Sequence, residues 1–134
     1  MVTDELTDGT RIGQLFSSEI HGHERGALGA LRVADADREV EPTEGGAFAY
    51  GIDFEPEDGD STRMAAVYVQ PDRVRIEFAV GVGTAAEAAK EAGLRVRPKA
   101  VEPPKTLVFV ENGAEVKAAL RVVRTVAERL EESG

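Results

Sequence analysis

A chain of 134 residues with 42% hydrophobic content is sized for one domain around one core, and it is too apolar to stay unfolded despite 31% charged residues. The lack of cysteine excludes disulfides, thiolate metal sites and a cysteine nucleophile, and it suits a reducing compartment. A formal net charge of −9 argues against nucleic acid or an anionic membrane as a partner, since both are bound by clustered cations that displace counterions.

The first ten residues, MVTDELTDGT, are acidic where a secretory signal would be basic and then apolar. No apolar run approaches the ~20 residues of a membrane span. The expectation is a cytoplasmic protein. Asp8 to Ile20 reads as a helix because Ile12, Leu15, Phe16 and Ile20 recur at helical spacing, with Thr7 or Asp8 as N-cap and Gly22 and Gly26 as stops. Ala30 to Ala34 alternates weakly and reads as a short strand. Residues 35–46 form a polar loop with Pro42 and a glycine pair, long enough to be mobile and expected to give no core residue. Ala47 to Glu55 reads as a strand with Phe48, Tyr50, Ile52 and Phe54 on one face, followed by an acidic turn.

Arg63 to Val80 is the clearest element, a β-hairpin turning at Gln70-Pro71-Asp72-Arg73. Its second arm places Val74, Ile76, Phe78 and Val80 opposite Arg73, Arg75 and Glu77, the period of a half-buried strand. Its first arm is apolar on both faces, Met64, Ala66 and Tyr68 against Ala65, Val67 and Val69, so it predicts a central strand covered twice. Thr84 to Ala92 is a short alanine-rich helix opened by a Gly81-Val82-Gly83 break. Leu94 to Lys105 carries three prolines and looks extended, and Thr106 to Val110 is a buried strand. Asn112, with Glu115 at capping-box spacing, starts a last helix facing the sheet through Val116, Ala119, Leu120, Val123, Ala127 and Leu130. The pattern predicts a single α+β domain, a mainly antiparallel sheet of about five strands with helices on one face, in the order α-β-β-β-β-α-β-α.

Four features could carry chemistry. Gly81-x-Gly83-x-x-Ala86 follows a strand and opens a helix, and it resembles the dinucleotide-binding fingerprint of Rossmann proteins. The preceding strand alternates where a Rossmann strand is buried on both faces, the helix is short, and Pro98 interrupts the next strand. A glycine break followed by a Thr84-x-x-Glu87 capping box is the plainer account, and no cofactor is expected. His21 and His23 flanked by Glu19 and Glu24 could hold a metal only with further ligands, so no metal site is expected. The acidic turn Glu55 to Asp60 lacks EF-hand spacing and reads as solvated acid. Arg95, Arg97, Lys99 and Lys105 form a positive stretch able to hold a carboxylate or phosphate, or to pair with an acidic surface of the chain itself. No catalytic motif is recognisable.

Acid spread over nearly every polar segment, scarce lysine, and abundant Ala, Val and Gly resemble the composition of small acidic haloarchaeal proteins of unknown function. The element order and charge are similar to those of type III secretion chaperones, which implies a small, homodimeric, non-enzymatic interaction protein. The leading expectation is a non-enzymatic protein-binding or assembly module, a homodimer whose interface covers the second apolar face of the central strand. The alternative is a small-molecule or anion-binding domain, possibly enzymatic, built from Gly81, Gly83 and Thr84 together with Arg95, Arg97, Lys99 and Lys105.

Overall fold

A computed structural model describes residues 7–22 and 26–133. It contains helices α1 (Gly9–Gly22), α2 (Val82–Glu91) and α3 (Glu115–Ser133), and strands β1 (Leu31–Ala34), β2 (Ala47–Phe54), β3 (Thr62–Gln70), β4 (Arg73–Phe78), β5 (Arg95–Lys99) and β6 (Lys105–Val110). A 3-10 turn, Gly26–Ala30, leads into β1. The strands form one sheet in the order β1-β2-β3-β4-β6-β5, with every neighbouring pair antiparallel. The α+β class and the helices packed on the sheet are as the sequence predicts. Among the described residues no helix is long and apolar enough to cross a membrane.

The sixth strand comes from the stretch expected to be merely extended. Arg95–Lys99 pairs with Lys105–Val110 on one side only. An edge strand tolerates Pro98, because a missing N–H costs little where no second neighbour needs it.

The inner face of the sheet is set by the β3–β4 register, which pairs Ala65 with Phe78, Val67 with Ile76 and Val69 with Val74. All six are at most 1% exposed. α1 packs Ile12, Phe16 and Ile20 into the same core, and α3 packs Val116, Ala119, Val123 and Ala127. Fully burying each large aliphatic or aromatic side chain contributes roughly 1.5–3 kcal/mol. The face of β3 expected to need a second subunit, Ala65, Val67 and Val69, is therefore covered by the chain's own helices. α3 also buries Val122 and Val126, outside the predicted stripe, because it contacts α2 as well as the sheet. At its start Asn112 Oδ1 accepts from Glu115 N–H (3.1 Å), while Glu115 Oε1 accepts from Glu111 N–H (2.8 Å). The reciprocal cap forms, displaced by one residue from the predicted box.

Two irregularities change which side chains face inward. A register shift between Phe48 and Tyr50 leaves Ala49 unmatched in β2. Tyr50, Ile52 and Phe54 stay on the inner face, but Phe48 turns to the outer one and meets Tyr68 edge to face (centroids 5.9 Å, 73°). Strict alternation predicts all four together, and a bulge reverses one. A second shift leaves Met64 unmatched in β3, and both Met64 and Ala65 are fully buried. The 35–46 loop also departs from expectation: Val40 packs against the core, Asp37 N–H donates to Ala49 O (2.8 Å), and Gly45 O accepts from Arg75 Nη1 (2.8 Å).

Candidate functional site

Among the described residues the outer face of the sheet carries no helix, and its residues come into register as rows across the strands. One row reads Arg95, Phe109, Arg75, Tyr68, Phe48 from β5 to β2. The next reads Arg97, Leu107, Glu77, Ala66, Gly51. Cations and rings thus alternate on one surface. The Arg73 guanidinium lies 4.3 Å from the Phe109 ring centroid, and that of Arg75 lies 4.7 Å from Tyr68, both within cation–π reach. The arginine stems roof the apolar floor, and Phe109 is left only 3% exposed.

Two carboxylates organise these cations. Glu77, 5% exposed, accepts from Arg75 Nε (2.9 Å) and lies 3.7 Å from Lys99 Nζ and 4.0 Å from Lys105 Nζ. Glu111 Oε2 sits 3.4 Å from both Arg73 Nη1 and Arg95 Nε. The enclosed Glu77 is tolerable only because several cations converge on it. The side chain of Arg97, exposed at the middle of β5, makes no ion pair or hydrogen bond among the described residues. At the opposite end of the face carboxylates outnumber cations: Arg63 donates to Asp53 (2.5 Å) and to Asp35, which hold its guanidinium above its already high pKa, and Arg32 pairs with Glu55 (3.7 Å). The positive excess therefore belongs to β4, β6 and β5.

The two halves of the site expected from sequence are not brought together. Arg95, Arg97, Lys99 and Lys105 do converge, joined by Arg73 and Arg75, which the sequence reading assigns only to solvent. Gly81, Gly83 and Thr84 lie on the helical side, where α2 packs on α3, β5 and β6. Gly81 is the α2 N-cap at φ 61°, and a Cβ there would sit 2.9 Å from Val126 Cγ1. The glycine serves a close helix–helix approach in the left-handed region. The expected Thr84-x-x-Glu87 capping box does not form, because α2 already begins at Val82 and its cap carries no side-chain hydrogen bond. Among the described residues no parallel strand follows α2 to complete a dinucleotide-binding unit, since β4 neighbours only the antiparallel β3 and β6.

A separate cleft of about 590 Å³ opens between α1 and the 35–46 loop, lined among others by Gln14, Ser17, His21, Asp37 and Arg38. Tyr50 in its wall is engaged, donating to Gly13 O at 2.7 Å, and burial pushes its phenol pKa up. His21 ends α1 at this cleft, while His23 lies outside the described residues.

These features define an α+β scaffold with one sheet face closed by helices and the other carrying arginines, two of them stacked on aromatic rings. The chain belongs to the Family of unknown function (DUF7993), which matches residues 1–134. No curated protein and no solved structure matches it.

Proposed function

We propose that this chain is a non-enzymatic protein-binding module that docks an acidic part of a partner protein on the outer face of β4, β6 and β5. The observation that carries this reading is a charge imbalance. Arg73, Arg75, Arg95, Arg97, Lys99 and Lys105 stand there against Glu77 and Glu111, so the patch is +4 in a chain of −9, which leaves −13 elsewhere. Such a patch steers an anionic partner toward one face and repels it from the others. Glu77, Glu111 and the aromatic rings hold most of these cations in place before a partner arrives, which lowers the ordering cost of binding. Guanidinium forks match carboxylates in geometry as well as in charge.

Two other occupants fit less well. Single-stranded nucleic acid is bound by stacking bases on bare rings, and here Phe109 and Tyr68 are already covered by Arg73 and Arg75. A symmetric second copy would press the patch against itself, cation on cation. The test is titration of the isotopically labelled protein with poly-L-glutamate at low ionic strength, followed by amide chemical shifts. The expected shifts concentrate on β4, β5 and β6 and vanish in the R95E/R97E/K99E variant. Binding that survives this triple reversal, or shifts confined to the helical side, would overturn the reading.

A further inference from the structure

We infer that the acidic partner enters as an added strand on the free edge of β5, with its carboxylates at alternate positions. This rests on the docking reading above and adds to it the conformation and sequence pattern of the partner. Among the described residues the sheet ends at β5, which pairs only with β6, so its other side carries no strand; there Lys99 O already accepts from Val101 N–H (2.9 Å), which leaves residues 95–98 for an added strand. Arg95, Arg97 and Lys99 occupy the outward positions of that strand at two-residue intervals, roughly 6.5–7 Å apart. Alternate side chains of an extended peptide have the same spacing, and on an adjacent strand they stand about 4.5–5.5 Å from their partners. Glu111 and Glu77 meet Arg95 and Lys99 from the β4 and β6 side, so an incoming carboxylate approaches from the open edge. Arg97 lies between them with no acid of its own and is the anchoring position.

The same strand is closed to its own kind. Two copies of Arg95-Val96-Arg97-Pro98-Lys99 laid side by side would oppose cation to cation. Pro98 withholds one N–H from any added strand alike, so the discrimination lies in the charges. Like-charge repulsion thus excludes self-pairing while an alternating acidic strand is admitted. The other edge is blunted in a different way. Arg32 folds back along β1 and donates to Gly29 O (2.9 Å) and Leu31 O (2.8 Å). Strand addition therefore has one charge-matched edge to use.

The experiment compares capped peptides of equal composition, one alternating Glu with Val and one with its Glu residues contiguous, against the full chain by fluorescence anisotropy. The alternating peptide should bind about tenfold tighter, since each matched cross-strand pair adds and the contiguous isomer aligns fewer of them. Methylating one backbone nitrogen of the alternating peptide should weaken it severalfold, and R97E should weaken it by about tenfold. The R97E chain keeps its fold because Arg97 is exposed. Equal binding of the two isomers, with no effect of methylation, would overturn strand addition and leave acidic docking standing. Failure of both isomers to bind would overturn acidic docking itself. Tighter binding of an oligo-dT of equal charge would overturn both and assign the face to nucleic acid.

Discussion

Tyr50 links the buried cleft wall to α1 through one hydrogen bond, and its consequence for stability can be signed. The phenol pKa is raised in the fold by burial, so the folded state holds its proton more tightly than the unfolded chain does. The stability this contributes is complete below the ordinary phenol value of about 10 and is lost as pH rises above it, because the unfolded chain ionises first. Tyr50→Phe should cost about 1 kcal/mol at neutral pH by removing the bond to Gly13 O, and it should flatten the alkaline decline. Urea melts of both proteins between neutral pH and pH values above ~10 check this. A decline of unchanged steepness would assign the alkaline sensitivity to other groups. The glycines of the α2 entry make a second test by contrast. Gly81→Ala meets both a φ of 61° and the Val126 methyl, so a loss of roughly 1–3 kcal/mol is expected. Gly83→Ala, with open space around its Cβ, should instead stabilise α2 by about 0.5–1 kcal/mol. If the turn were held open for a ligand, the two substitutions would have no reason to differ in sign.

At the scale of elements, the patterns legible in the sequence were those in which burial and periodicity agree. α3 shows its stripe and its cap, and the β3–β4 hairpin shows its alternation and its proline turn. What escaped was decided by pairing partners. The proline in Arg95–Lys99 hid a period-two strand, and without that strand there was no register to bring Arg95 and Arg97 beside Phe109, Leu107 and Arg75. The four cations of the candidate site were therefore visible as a charged stretch, while the surface they join was not. The bulge at Ala49 has no signal in the sequence either, so strict alternation places Phe48 on the wrong face. Glu77 shows how much the outer face depends on pairing across strands. Glu77→Ala strands Arg75, which is largely covered, without its carboxylate, while Lys99 and Lys105 can turn to water. A loss of about 2 kcal/mol is expected, below the figure for a fully enclosed pair because two of the three cations are partly exposed. Denaturant melts measure it, and a change within ~0.5 kcal/mol would mean that the cluster is held by packing of its stems alone.

For the whole molecule, the expectation of a homodimer turns on Ala65, Val67 and Val69 lacking cover, and the helices supply that cover within the chain. With one face closed by helices and part of the other carrying a net positive excess over β4, β6 and β5, the expected outcome in light scattering is a monomer across a dilution series. The rest of the surface carries an excess of about −13 around a +4 patch, and its self-repulsion acts mainly through exposed groups. Salt screens these exposed charges first, as the Debye length falls from about 10 Å at 0.1 M to about 3 Å at 1 M, whereas the enclosed Glu77 cluster is screened much less. Repulsion should therefore fade faster than the internal pairing weakens. The melting temperature in molar KCl should exceed that in dilute buffer by about 3–8 °C, equivalent to about 1–2 kcal/mol for a chain of this size. The rise should also level off once screening is complete. A steady linear increase would point instead to solute exclusion from the surface. A melting temperature that falls on adding salt would mean that ion pairs such as Arg63 with Asp53 and Arg95 with Glu111 outweigh the repulsion.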